Sequence, residues 1–392
     1  MRRSSQKRTE ALWSRHDSEW RDPAQIVSQW PGANDVDPRL LRYMARGDWW
    51  DVLTASGMTM LVTREYEHLL MAMGVGESGP NFSYLPILHP SGLAVDRKRG
   101  VVHVASTRNP NQIFDLMPIV NLKDNSDRKA ARLGGRPLVP VRSRFLPGGL
   151  YLHDLAMVGG RLHANAVGEN SVVRLYDDGH HERAWWPRSI EALARPFDQN
   201  YLQLNSIAAG TTIKTSYFSA SAEKPSRFRP GHKDFPVDKR GVILSGRTRE
   251  VIVSGLTRPH SARLYGKRLW VNNSGYGELC VVRGHDFERV AHLPGWTRGL
   301  AFHQGLAFVG TSRVLPRFRQ YAPGLKIDES LCGLHAVEIK SGKVLGSLIW
   351  PFGNQVFAIE LVPSAFTTGL PFSARRSLSS EKKLFYSFRA FP

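Results

Sequence analysis

The hydrophobic and polar positions of this chain recur as a unit rather than as one continuous helical or strand period. The unit opens on small or apolar residues, passes through a glycine-containing turn, and closes on a β-rich run ending in Ser, Thr or Asn. It reads GLAVDRKRGVVHVAST from Gly92, HDLAMVGGRLHANAV from His153, HSARLYGKRLWVNNS from His260 and RGLAFHQGLAFVGTS from Arg298. A weaker copy, NSIAAGTTIKTSYFS, begins at Asn205, and IELVP around Glu360 has the opening of a sixth. Two short apolar runs flanking a tight turn are the pattern of a β-hairpin, so each copy predicts two strands joined at a turn such as Gly159-Gly160 or Tyr265-Gly266. With Gly92, Asp154, Ser206, Ser261, Gly299 and Leu361 taken as equivalent, the copies lie 38 to 62 residues apart. That spacing accommodates four strands and their loops, and six such units predict an all-β, six-bladed β-propeller.

The sixth copy lacks its remaining strands. MTMLVTREYEHLLMAMGV, from Met58 to Val75, supplies two strands ahead of the first full copy. Strands from both chain ends then close the last blade and remove two open sheet edges. The expected organisation is a short basic N-terminal extension over residues 1–47, with a helix around Pro38 to Ala45, then the propeller over 48–363. A basic Ser/Arg/Lys-rich tail follows over 364–392.

Composition agrees with many short strands and tight turns: 35 Gly, 24 Pro and 42% hydrophobic residues. The two cysteines, Cys280 and Cys332, cannot build a disulfide framework and suit a reducing cytoplasm, the expected location. The N-terminus is basic without an apolar core segment, so it does not read as a secretory signal. The longest apolar run, Leu69 to Val75, is far shorter than the roughly 20 residues a membrane helix needs. A net charge of +19 raises affinity for polyanions or draws in an anionic substrate. Scattered over loops, most of these cations read as solvated surface. The segment Arg227 to Arg249 mixes basic and aromatic residues, yet Pro225, Pro230, Gly231 and Pro236 mark it as a long surface loop rather than a nucleic-acid contact. Gly74, Gly76 and Gly79 spell G-x-G-x-x-G, but PNFSY follows where a phosphate-binding helix should start, so no dinucleotide site is expected.

The stretch GLTRPHSARLYGKRLWVNNSGYGELCVV, followed by LPGWTRGLAFHQGLAFVGTSR and CGLHAVEIKSGKV, resembles an uncharacterised family of bacterial hypothetical proteins. Its members carry PHS, LPG-x-x-RGLAF and CGL motifs in that order. The resemblance covers roughly Trp49 to Pro363, is strongest after Gly255, and implies a propeller-like fold without a particular chemistry. Where that family is expected to read His-Leu-Asn, this chain has Gln203-Leu204-Asn205, so a site using that histidine is altered here.

In a propeller the innermost strand of each blade starts near the central channel. The residues at that point are Ser91, with His89 two positions earlier, then His153, Asn205, His260, Arg298 and Glu360. Polar groups converging in an apolar setting define a ligand site. Two chemistries follow. His153 and His260, joined by His89 and Glu360, suit a divalent transition metal, which would polarise a carbonyl or activate water. Without a metal, Arg298 would fork onto a carboxylate or phosphate while a histidine moves a proton. A structural role, tying blades together across the channel, is the third reading. The expected function is binding or processing of a small molecule or peptide at this channel. A non-catalytic protein-interaction scaffold and a polyanion binder are the alternatives.

Overall fold

The computed structural model describes residues 7–12, 14–15, 36–108, 110–118 and 136–373. Six antiparallel sheets stand around one axis, five of them built on four consecutive strands in the order of their pairing and the sixth on strands from both chain ends, with two edge additions. The innermost strands are Pro90–Asp96, Leu152–Val158, Leu204–Ala208, Pro259–Tyr265, Trp296–His303 and Ala358–Pro363, opening blades I to VI. Each of them packs against the next, and the last packs against the first, so the ring is closed. The approach is close. A Cβ on Gly92 would lie 2.5 Å from the backbone nitrogen of Leu155, so blades I and II meet there only through glycine.

Strands sandwiched between neighbouring blades are covered on both faces, which is why strict two-residue alternation is weak in the sequence. Val101–Ser106, second in blade I, is buried throughout, whereas the outermost strand of blade II, His181–Trp185, is mostly open. The first hairpins of blades II, IV and V turn on Gly159-Gly160, Gly266-Lys267 and Gln304-Gly305, each pair with positive φ at both residues. That geometry matches the right-handed twist of the strands. The blade IV turn therefore lies one residue beyond the expected Tyr265-Gly266.

Blade VI closes the ring as expected and with one strand more. Ala358–Pro363 pairs with Met58–Arg64, followed outward by Leu69–Gly76 and Gly79–Pro86. The G-x-G-x-x-G run is the hairpin between the last two, with Gly76 opposite Gly79. Outside 48–363, Phe372–Ser373 adds an edge to blade VI and Met44–Gly47 adds one to blade V. The helix expected around Pro38 to Ala45 runs only over Pro38–Leu41, because the following residues enter that edge strand. A second helix, Trp49–Ser56, buries Trp49 and Leu53 and ends on Gly57 at φ +62. It joins Met60, Phe308 and Trp350 in the largest apolar cluster. The basic tail lies outside the described residues beyond Ser373. Among the described residues no helix is long and apolar enough to cross a membrane. Both cysteines are free and buried, and burial raises both thiols.

Candidate functional site

In blades I to V the pairing of the first two strands shifts by one residue near the start of the inner strand, a β-bulge. A bulge re-aims side chains, and His153, Asn205, His260 and Arg298 all lie at these bulges. Blade VI has no such shift: Met58–Thr63 pairs evenly with Ala358–Pro363. The register difference moves Glu360 away from the ring. Its charged neighbours are Arg263, Asp154 and Arg97, and burial raises its carboxyl to about 7. Phe357 takes the blade VI position instead, 5.4 Å from the His153 ring and 3.3 Å beneath the Arg298 guanidinium.

The residue two positions before the ring is also unusual. His89, Tyr151, Gln203 and Arg258 have φ of 45°, 53°, 52° and 52°, left-handed backbone that costs a non-glycine residue about 1–2 kcal/mol. Four equivalent strained positions on one face of the molecule are a reason to look for function there.

A cavity of about 440 Å³ opens on that face. His153, His260 and Arg298 line it. The other predicted residues lie outside this lining. Asn205 donates to Ser221 Oγ and to the Pro259 carbonyl (3.0 and 2.9 Å), and Ser91 Oγ donates to the Leu152 carbonyl (2.8 Å), so both tie neighbouring blades. His89 stands behind the wall, with Nδ1 3.7 Å from Glu65 Oε1 and its backbone N–H donated to His68 Nδ1. The lining comes from two kinds of connection. Tyr151, Gln203, Arg258 and Gln355 precede inner strands. Glu65, Arg108, Arg229 and Arg313 lie between second and third strands.

The deep wall is cationic and incompletely hydrogen-bonded. Arg258 and Arg298 are 6% and 9% exposed, and burial lowers both guanidinium pKa values to about 10. Arg258 Nη1 donates to Gln203 Oε1 (2.8 Å) and the group lies over the Tyr321 ring at 4.5 Å. Arg258 Nε, Arg298 Nη2, His153 Nδ1, Thr107 Oγ1 and Gln355 Oε1 are buried without a hydrogen-bond partner among the described residues. Such orphaned groups are costly unless something satisfies them. Burial, and then the charges of Arg298 and Arg258, hold His153 and His260 well below the ordinary histidine range, so both imidazoles are neutral. His260 Nδ1 is 2.7 Å from the Arg258 carbonyl oxygen, which can only accept. The proton therefore sits on Nδ1, leaving Nε2 as an acceptor. Glu65 is the lining carboxylate; burial raises it, against the pull of Arg298 and Arg108. Among the described residues no group of three or more His, Cys, Asp or Glu is placed to hold a metal.

Sequence reasoning found the inner-strand starts and missed the second-to-third connections. A signal was present: the copies ending VASTR and VGTSR both place an arginine, Arg108 and Arg313, straight after the terminal Ser/Thr pair. Arg258 stands in the TRPHS stretch and was passed over for its histidine. The segment from Arg227, expected to be surface loop, contributes Arg229, Pro230 and Gly231 to the cavity wall.

Several solved structures share the architecture. A chain of the nidogen/laminin complex superposes with a TM-score of 0.50 at 9% identity, over 78% of this chain and 97% of that one. A protein of unknown function from Bacteroides caccae gives 0.49 at 11% identity, over 78% and 98%. A gluconolactonase from Xanthomonas campestris gives 0.45 at 13% identity, over 75% and 86%. At 9% identity the first likeness speaks for the fold alone, and the other two, below a TM-score of 0.5, carry no argument. None of the curated proteins matches the sequence. Residues 47–369 match the model of a domain of unknown function, DUF4915, and the chain belongs to that family.

Proposed function

We propose that this propeller binds, and acts on, a small anionic molecule at the channel mouth. The observation that carries the reading is the pair Arg258 and Arg298: two buried guanidiniums with N–H groups unpartnered at one cavity. A buried cation with unused donors is costly for the protein alone and is compensated by a carboxylate or phosphate, which accepts from guanidinium in a forked geometry. Both side chains are held in place by aromatic rings, Tyr321 and Phe357, so little freedom is lost when the anion arrives. His153, neutral and in the cavity lining, would take a proton from the bound molecule. The charge of the anion would itself relieve the arginine field that, after burial, holds this imidazole neutral.

The donor set supports an anion better than a divalent transition metal on His153 and His260. Neutral imidazoles are good ligands, but Arg258 and Arg298 act electrostatically on both, and a cation there would be repelled. The test is calorimetric titration with inorganic phosphate and with zinc, on the parent and on Arg298→Gln. Saturable phosphate binding that Arg298→Gln abolishes supports the reading. Stoichiometric zinc binding lost in a His153→Ala/His260→Ala variant, with phosphate inert, replaces it by the metal reading.

A further inference from the structure

The cavity cations fall into two tiers. The inner tier is Arg258 and Arg298, buried and fixed by stacking. The outer tier is Arg229 and Arg313, both exposed. Arg229 lies on the long connection between the second and third strands of blade III. Arg313 begins the corresponding connection of blade V. Arg229 has no ion pair among the described residues, and Arg313 spends one N–H on the Pro351 carbonyl at 2.6 Å. The fifth lining arginine, Arg108, is held 3.3 Å from Glu65, the one carboxylate of the lining. Five arginines thus face one glutamate, and the surplus lies at two depths.

The outer tier is not loose surface charge. Ala222, Phe235 and Val237 from the blade III connection pack with Tyr321 from the blade V connection in a small apolar cluster of their own, with Phe318 and Trp296 against it. Gln320 Nε2 donates across to the His232 carbonyl at 3.4 Å. Tyr321 is also the ring on which Arg258 stacks. One aromatic side chain therefore links the two connections to the inner guanidinium and sets the tiers in a fixed relation. Such preorganised spacing favours a ligand that matches it over a diffuse polyanion.

Resting on the anion reading above, we propose that the ligand carries two anionic groups. One is seated against Arg258 and Arg298, and the other lies within the field of Arg229 and Arg313. The chemical class is a small dicarboxylate, a bisphosphate or a phosphorylated carboxylic acid. A ligand with one charge would leave the outer pair unanswered. A nucleic-acid backbone would engage exposed cations without entering to the buried ones.

The experiment is calorimetric titration of the full chain at constant ionic strength with acetate, inorganic phosphate, glutarate and fructose 1,6-bisphosphate. The variants are Arg298→Gln and the double variant Arg229→Gln/Arg313→Gln, each checked for a native circular dichroism spectrum. In the parent a two-anion probe binds about ten-fold or more tightly than its single-anion counterpart, the advantage of a second tethered contact. In the outer double variant that ratio collapses towards one. In Arg298→Gln every probe weakens. Equal affinity for single and double anions in the parent overturns the two-tier proposal and leaves the anion reading standing. Saturable binding of none of the four overturns both. Binding that only tracks ionic strength, indifferent to both variants, assigns the charge to diffuse attraction and also overturns it.

Discussion

Asp154 and Arg263 lie on inner strands, and Arg258 and Arg298 lie at the start of inner strands, yet the two pairs are finished differently. Asp154 accepts from Arg263 through both oxygens, at 2.8 and 3.2 Å, and Oδ2 also takes the backbone N–H of Ile207 in the next blade. Arg263 further donates to the carbonyls of Ile207 and Ala262. That cluster joins blades II, III and IV, and its hydrogen bonds close on protein. At the mouth, Arg258 and Arg298 keep donors that nothing among the described residues accepts. Paired buried charge builds the ring of blades, and unpaired buried charge waits for something from outside.

The comparison is broken most directly by deleting one member of each pair. Asp154→Ala strands a buried guanidinium and should lower the unfolding free energy by about 3–5 kcal/mol, as removal of one partner of a buried ion pair does. Arg298→Gln removes a cation that has no direct ion pair among the described residues, so stability should change by less than about 1 kcal/mol or rise, while phosphate binding disappears. Urea titrations of both variants decide it. Equal losses would mean that Arg298 is structural and that the mouth is a second set of ties.

A second test follows from Glu360, the residue the missing bulge sends to the paired cluster. Its carboxyl has a folded pKa of about 7 against an ordinary 4.5, with burial the main cause. The folded state therefore holds a proton that the unfolded state releases. Stability is greatest below pH 4.5, falls as pH rises from 4.5 to about 7, and is level above, with a total loss on the order of 2–3 kcal/mol. Glu360→Gln should flatten that limb and stabilise the protein at pH 8. The histidines at the mouth act in the opposite sense. Burial and the arginine field depress His153 and His260, so their stabilising effect is present above pH 6.5 and is lost as pH falls below it. Saturating phosphate should shift that acid limb to lower stability loss in the parent and leave it unchanged in Arg298→Gln.

How far the sequence carried is clearest at the ring. The six repeat starts were legible because the hairpin pattern is local, and the ring positions of blades II, IV and V, His153, His260 and Arg298, line the cavity. Glu360 lies outside the lining because a bulge is a property of pairing between strands, and IELVP alone does not show that its partner, Met58–Arg64, is bulge-free. The structural reading holds at Asn205 and Ser91, and further ties lie one residue beyond the ring position. Asp154, Ser206 and Ser261, chosen only as alignment markers, accept the backbone N–H of Ile207, Ala262 and Gly299 in the next blade at 2.9, 2.7 and 2.9 Å. Adjacent strand residues face opposite ways, so the tie and the ligand group occupy neighbouring positions. Arg229 and Glu65 were invisible for another reason. Their place depends on connections of unrelated length folding over one channel mouth, which no repeat records.

The smallest effect concerns the strained residues before the inner strands. Tyr151, at φ 53°, donates its backbone N–H to Asn111 Oδ1 at 3.0 Å, and its ring, 42% exposed, stands at the cavity 6.0 Å from the Arg108 guanidinium. Tyr151→Gly removes a left-handed penalty of about 1–2 kcal/mol. Against this, glycine frees the unfolded chain at a cost of about 0.5–1 kcal/mol, and some ring contact is lost. The net change in stability should stay within about 1 kcal/mol, read as a small displacement of the urea midpoint. Affinity for phosphate should fall by a few-fold, because Arg108 loses the ring that steadies it near Glu65. Equivalent glycine substitution at His89, which lies behind the wall, should relieve the same kind of strain without touching affinity. If both variants gain stability and both keep full affinity, the strain is a requirement of the turn into the inner strand and owes nothing to the cavity.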